Sequence, residues 1–343
     1  MKEYVIGDGE TGQKLHKVIA RVLKEAPTGF GYKMLRKKNI VLNGKKAGGN
    51  EMLAVGDKVT FYLSDETFAK FAGRRQADHT DQQGDHATCK KREIKMPIVY
   101  EDEHILLYDK PVGVLSQKAK ESDYSANEQL LSYLRLSGQL TDKALETFRP
   151  SICNRLDRNT SGLLICGKTL IGLRTMNRML ADRSLRKYYL SIVLGDVKTG
   201  FELKGYLYKE EASNKVTIYP KPHEGADEIH TEAVPLAKKS IRLGDGMVNI
   251  SLLRIHLITG KPHQIRAHLA SIGHPVLGDY KYGDRRINDL LQQKIGIKSQ
   301  LLHAHCLVFP QMEAPMEKLS DKTFTAPPPE TFDRVFGPLK KEY

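Results

Sequence analysis

A chain of 343 residues, 40% of them hydrophobic, has room for two or three domains with real cores, which excludes a low-complexity or fibrous protein. Its formal net charge of +13 favours a polyanionic partner, nucleic acid first. No run approaches 18 apolar residues, so no membrane-spanning helix is expected, and the start MKEYVIGDGETG lacks the apolar stretch of a secretory signal. The four cysteines, Cys89, Cys153, Cys166 and Cys306, form no C-x-x-C pair, so they read as small hydrophobes in a reducing, cytoplasmic setting rather than as zinc or redox ligands.

The first 71 residues read as one unit. In QKLHKVIARVLKEA, Leu15, Val18, Ile19, Val22 and Leu23 recur at helical spacing and predict one buried face. After the breaker PTGFG, YKMLRKK predicts a second short helix that gives Met34 and Leu35 to the core. IVLNGKKA reads as a strand entering a tight turn at Asn43-Gly44, and AVGDKVTFYL as a turn and a strand. Basic residues gather here: Lys33, Arg36, Lys37 and Lys38 on and just after the second helix, Lys45 and Lys46 after the turn. Alone, such a run is a solvated face. The string L-R-K-K-x-I-x-L-N-G-K followed by GDKV, however, resembles the alpha-L RNA-binding module known from a ribosomal small-subunit protein, over residues 12–64. That resemblance implies that these six side chains grip RNA phosphates.

Residues 72–96 have almost no large apolar side chains and read as a flexible polar linker. From Pro97 strand-like runs alternate with turns, as in IVYEDEHILLYDKPVGVLS, and compact sequence continues to about Phe336. Within it lies NRLDRNTSGLLICGKT, Asn154 to Thr169. Its second half matches the letters of a nucleotide-binding phosphate loop. The four variable residues, Leu163 to Cys166, are all apolar and look like a buried strand, and a polar turn rather than a strand precedes Gly162. An ATPase is therefore the weaker reading. The first half sets Asp157 between Arg155 and Arg158 in a turn-rich run at the lip of that strand.

Three later segments bear on Asp157. RKYYLSIVLG reads as a strand whose alternation places Tyr188 and Tyr189 on opposite faces. In LITGKPHQIRAHLASIGHPVLGDYKYG, a turn leads into a helix with Ile265, Leu269 and Ile272 on its core side and a stop at Gly273. LLHAHCLVFP reads as a late buried strand. The ordered set R-L-D-R-x-T-S-G-L, K-x-Y-x-x-x-x-x-G, T-G-K-P-H-Q-I-R-x-H, G-H-P-x-L-G-D and L-H-A-x-x-L-x-F resembles the RluA-like RNA pseudouridine synthases, closest to the RluC type of the large-subunit rRNA branch. Nearly the whole chain is covered. Asn154 and Lys261 depart from the commoner His and Arg of the family.

The resemblance implies an α+β fold: an alpha-L domain at 1–71, the linker at 72–96, and a catalytic domain at 97–343 with a mixed, mainly antiparallel sheet flanked by helices. It implies isomerisation of specific uridines, in 23S ribosomal RNA or a ribosome assembly intermediate, by a monomer. Breaking N1–C1′ and joining C5 to C1′ changes no oxidation state and consumes no phosphate, so no cofactor is expected. The resemblance nominates Asp157 as the reactive carboxylate, Arg266 as its ion-pair partner and Tyr189 as the base-stacking ring. Arg155, Arg158, Thr160, Lys261, His263 and Gln264 are then expected at the RNA. The rival readings are a non-catalytic RNA binder on the same scaffold and a metal hydrolase. The latter rests on His256, His263, His268, His274, His303 and His305, but His263 and His268 are five apart, off one helical face, and no H-E-x-x-H is present, so no metal is expected.

Overall fold

The structure, a computed structural model, describes residues 1–7, 10–72, 96–210 and 215–339. Apart from Ala72 and Met96, the expected linker lies outside the described residues, as does Cys89. The chain divides into two compact units, Met1–Glu93 with Leu140–Arg149, and Ile94–Gln139 with Pro150–Tyr343.

In the first unit the elements are β1 (Lys2–Val5), α1 (Leu15–Val22), α2 (Phe30–Arg36), β2 (Ile40–Leu42), β3 (Lys58–Phe61) and α3 (Asp65–Ala72). The apolar stripe of α1 and the residue after it bury Leu15, Val18, Ile19 and Leu23, and α2 adds Met34 and Leu35 to the same core. Three antiparallel strands in the order β1-β3-β2 form the sheet beside these helices. Asn43 and Gly44 both have positive φ (48° and 72°), the backbone that a two-residue turn with the strand's own twist requires. The short strand β1 and the helix α3 have no counterpart in the sequence reading, and α3 crosses the boundary expected at residue 71. The short helix α5 (Asp142–Thr147) also groups with this unit, although the sequence placed it inside the second domain.

The second unit contains β4 (Ile98–Glu101), β5 (Ile105–Lys110), α4 (Ala126–Leu136), β6 (Ser151–Ile152), β7 (Ser161–Gly167), α6 (Leu170–Ala181), β8 (Arg186–Leu194), β9 (Phe201–Lys209), β10 (Val216–Tyr219), β11 (Asp227–Leu243), β12 (Gly246–Leu257), α7 (Gln264–Ser271), α8 (Arg285–Ile295), β13 (Leu302–Val308), β14 (Thr323–Thr325) and α9 (Glu330–Phe336). Eleven strands make one mixed sheet in the order β10-β9-β11-β12-β8-β13-β7-β5-β4, with β14 on β13 and β6 on β7. Only β13 and β7 run parallel among the described pairs; the others are antiparallel. Part of the core packs α6 with β5 and β7, and another part packs α8 and α9 with β8 and β12.

Strand β7 shows why GLLICGKT is not a phosphate loop. Leu163 to Cys166 are at most 1% exposed and lie inside the sheet. Lys168 forms an ion pair with Glu101 at 2.6 Å, and the Thr169 hydroxyl caps α6 by accepting from the Gly172 N–H. Gly162 opens the strand at φ 108°, and a Cβ there would stand 2.2 Å from the Ala304 carbonyl oxygen of β13. The close approach of β7 to β13 thus depends on a missing side chain.

Gly162→Ala is expected to destabilise the protein by about 2 kcal/mol or more, since strain and a backbone clash coincide. Gly246→Ala, which meets nothing within 4 Å at an ordinary φ, should stay within about 0.5 kcal/mol of the parent. Urea unfolding of the two variants checks the contrast.

Candidate active site

Asp157 starts a β-turn that delivers the chain into β7: its carbonyl accepts from the Thr160 N–H at 3.0 Å. The turn is fastened from below by Lys110, at the end of β5. This lysine is fully buried, and its ammonium donates to the carbonyls of Pro111, Val114 and Arg158 at 3.1, 2.9 and 3.2 Å. Burial pulls its pKa down to about 7, against the pull of the Asp157 and Asp109 charges. Leu156, just before the acid, bonds through its N–H and C=O to the Ser116 hydroxyl. The backbone that carries Asp157 is therefore held on both sides.

The Asp157 side chain meets Arg266 of α7: Nη1 donates to Oδ2 at 2.7 Å. The other edge of the guanidinium belongs to Asp279, with Nε to Oδ2 at 2.6 Å and Nη2 to Oδ1 at 2.8 Å, a two-pronged pair. Asp279 is 1% exposed and also accepts from the N–H of Lys281 and Tyr282. Burial opposes the charge on Arg266, but the bonds and charges of Asp279 and Asp157 outweigh it, and its pKa rises above the usual arginine value. The Tyr282 ring lies 5.2 Å from the same guanidinium.

His263 stands beside this pair in a left-handed backbone conformation, φ 57°, as the residue that starts α7. The Tyr282 hydroxyl accepts from the Val216 N–H at 3.1 Å and lies 2.8 Å from His263 Nδ1. Which of the two donates to the other follows the imidazole tautomer, and the second ring nitrogen, Nε2, lies 4.0 Å from Asp157 Oδ1. Burial, with Arg266 and Lys281 adding to it, lowers the His263 pKa despite the Asp157 charge.

Asp157, Arg266 and His263 line a cavity of about 330 Å³ together with Tyr189, Lys187, Asn154 and Leu257. Tyr189, on β8, is 6% exposed; burial and then the Asp157 charge push its phenol well above the ordinary tyrosine value. Tyr188 points to the opposite face, where it stacks on His256 with ring centres 4.9 Å apart.

The structure brings Asp157, Tyr189 and Arg266 together at one pocket, and Arg155, Thr160, Lys261, His263 and Gln264 line it too. Arg155 is exposed, and so is Arg158, whose Nε reaches the Gly113 carbonyl. Lys261 pairs with Asp227 at 2.7 Å. Two residues expected at the RNA have other engagements. Thr160 is 2% exposed and its hydroxyl accepts from Gln300. The Gln264 amide accepts from Thr259 and the Lys261 N–H and donates to the His230 carbonyl and Thr231, so all four of its hydrogen-bonding positions brace the loop that precedes α7. Asn154, where the family commonly has His, likewise accepts from the Ile165 N–H of β7. Ile272 was expected in the core and is 37% exposed, because α7 ends at Ser271. In the first unit Lys33, Arg36, Lys37, Lys38, Lys45 and Lys46 are all exposed.

Of the late histidines, only His263 lines the pocket. His303 and His305 both bond the Ala326 carbonyl, His274 the Leu194 carbonyl and His268 the Thr231 hydroxyl. His256 bonds Glu232, which with Glu202 and His230 offers possible ligand atoms within 4.8 Å of one another, outside the pocket.

Asp279, Lys110 and Tyr282 were not singled out from the sequence. An acid directly after a turn glycine in HPVLGDYKYG was the available sign for Asp279. A lysine on an otherwise buried strand, before Pro111, was the sign for Lys110.

Comparison with known proteins gives one consistent result. A family model described as RNA pseudouridylate synthase matches residues 104–271. A ribosomal large subunit pseudouridine synthase C of Vibrio vulnificus is 28% identical over 98% of this chain and 95% of its own length. The protein of the same name from Escherichia coli is 26% identical over 93% and 94%. An uncharacterised RNA pseudouridine synthase of Mycoplasma genitalium is 27% identical over 91% and 90%. Among solved structures, human RNA pseudouridylate synthase domain containing 4 shares the fold with a TM-score of 0.53 at 18% identity, covering 69% of this chain and 92% of that one.

Asp279→Asn is expected to lower stability by about 3–5 kcal/mol, because it removes one charge from a buried ion pair and leaves the other. Asp227→Asn breaks only the exposed pair with Lys261 and should cost less than about 1 kcal/mol. Denaturant midpoints of both variants measure the difference.

Proposed function

Because the chain belongs to the RNA pseudouridine synthase family, isomerases that convert uridine in RNA to pseudouridine, we propose that Asp157 is the acid that carries out the isomerisation. The observation that carries this reading is the 2.7 Å pair between Asp157 and Arg266 at a pocket walled by Tyr189. The reaction needs an ionised carboxylate at the glycosidic bond, whether it attacks as a nucleophile or removes a proton. A carboxylate in a base-sized pocket would drift toward its neutral form through desolvation, and a fixed guanidinium opposes that drift.

The target uridine has to leave its helix or loop stack to reach such a pocket. Tyr189 then offers a ring on which the base rests, a contact worth roughly 1–3 kcal/mol. With its phenol held protonated, Tyr189 can donate a hydrogen bond but is a poor base at neutral pH. His263 stands beside the acid, its Nε2 4.0 Å from Asp157 Oδ1. During isomerisation the N1–C1′ bond breaks with its electron pair passing to the ring, the ring turns, and C5 bonds to C1′. The C5 proton is released and N1 takes one up, so the product is an isomer and no cofactor is consumed.

The substrate in this reading is 23S ribosomal RNA, free or in an assembly intermediate, met in the cytoplasm by a monomer. The names of the bacterial relatives, which refer to the large ribosomal subunit, support that choice. Residues 1–71 act as an alpha-L RNA-binding domain, and residues 97–343 as the catalytic domain. What supports the RNA grip is the exposure of Lys33, Arg36, Lys37, Lys38, Lys45 and Lys46 around α2 and the turn that follows β2. In the second unit Arg155 and Lys261 line the pocket and Arg158 is exposed on the turn that carries Asp157, so these three are further candidates to meet RNA.

Asp157→Asn should release no tritium from RNA labelled at uridine C5, with the rate down by at least about 100-fold, while RNA affinity persists. Release at the parent rate would remove Asp157 from this role. Replacing Lys33, Arg36 and Lys37 by Gln should flatten the dependence of log affinity on log salt by about 0.7–0.9 for each phosphate that is no longer neutralised. A slope equal to the parent's would exclude the RNA grip of the first unit.

A further inference from the structure

One buried charged side chain at the pocket stands outside the network of Asp157, Arg266 and Asp279. Lys187 lies two residues before Tyr189 on β8, so both side chains leave the same face of the strand. It is 6% exposed and lines the same cavity. Its ammonium makes no hydrogen bond or ion pair among the described residues. The sealed polar atoms without a hydrogen bond lie elsewhere, on Arg21, His230 and His268. The Lys187 ammonium therefore keeps an opening to solvent, and the open space that the residue lines is the active-site pocket.

The pocket has a direction. Tyr189 stands opposite Ala304 of β13, and Ala304 opposite Gly162, at the end of β7 that follows the Asp157 turn. Lys187 stands opposite Leu307, further along β13, so it lies on the side of Tyr189 away from the acid, about 7 Å along the strand. A base stacked on Tyr189 with its sugar at Asp157 would point its far edge toward this ammonium. A buried cation without a carboxylate partner is unfavourable in the empty site, and an anion arriving there relieves it.

We propose that Lys187 is a catalytic residue that donates to a carbonyl oxygen at the far edge of the uracil and stabilises the negative charge of the ring once N1–C1′ has broken. The proposal rests on the reading of the pocket as the uridine site. When the bond breaks, its electron pair spreads from N1 over the two ring carbonyls, so a cation at a carbonyl interacts more strongly with the detached ring than with the bound nucleoside. An interaction that strengthens during the reaction raises the rate rather than the affinity. It also leaves the ring free to turn, because either carbonyl can accept from the same ammonium.

The test uses the full-length protein with excess enzyme over RNA, comparing Lys187→Met, Lys187→Arg and Asp157→Asn on uridine and on 5-fluorouridine at the target position. Lys187→Met should slow conversion of uridine by about 100-fold at unchanged RNA affinity, and Lys187→Arg should recover roughly tenfold of that loss. Fluorine stabilises the ring anion, so the defect of Lys187→Met should shrink on 5-fluorouridine, followed as loss of the parent nucleoside after nuclease digestion. Parent-like rates in Lys187→Met would overturn the proposal. So would a defect confined to RNA affinity, which marks a phosphate contact, or one equal on both substrates, which marks packing. If Lys187→Met does not melt cooperatively, Lys187→Gln takes its place under the same criteria. An active Asp157→Asn would instead indict the reading of the pocket itself.

Discussion

Arg266 has three hydrogen-bonding groups engaged, and two carboxylates take them all: two donors hold Asp279 and the third holds Asp157. This division of one guanidinium is what the rest of the site depends on. Asp279 lies on the loop after α7 and is itself fixed by backbone N–H groups, so it turns the flexible side chain of Arg266 into a rigid post. Only one edge then remains for Asp157, and the acid is met at a set distance and angle. Had Arg266 been tethered by Asp157 alone, the arginine would have been free to follow the acid into solvent. Arg266 is the shared partner of both carboxylates, which couples the chemistry of the pocket to the folding of the loop.

The sheet converts that local constraint into a pocket. β7 and β13 run side by side because Gly162 has no side chain to hold them apart. β8 lies on the other edge of β13 and brings Tyr189 and Lys187 to the same cavity. β12 leads out of the sheet into a loop that Gln264, the first residue of α7, holds through Thr259 and Lys261 while also bonding His230 and Thr231 of β11. Asp157 and Arg266 are 109 positions apart in the chain, and their meeting is a product of this long-range register. Lys110 completes the mount by gathering three carbonyls around the turn that carries the acid.

Much of this was legible in the sequence because it follows from local pattern. The stripe of α1, the turn at Asn43-Gly44 and the buried run Leu163 to Cys166 are periodicity and turn chemistry, and each took the form expected of it. What was not legible depended on distant partners. Asp279 could be seen as an acid after a glycine, but nothing local marked it as the anchor of Arg266. Gln264 sits in the motif HQIR and reads as a candidate RNA contact, yet tertiary hydrogen bonds take up its amide. Helix α7 is buried at every position from Gln264 to Leu269, so a one-sided stripe was the wrong template, and Ile272 fell outside it. The grouping of Leu140–Arg149 with the first unit had no sequence sign either, since chain order places it among residues of the second.

A uridine in this pocket is expected to meet Asp157 while Arg266 remains fixed by Asp279. A crystal structure of the protein with an RNA carrying 5-fluorouridine at its target position tests this most directly. The expected result is a flipped nucleotide stacked on Tyr189, its C1′ beside the Asp157 carboxylate, and all three Arg266 bonds retained. A nucleotide bound away from Asp157, or an Arg266 that has left Asp279 to bind RNA, would contradict it.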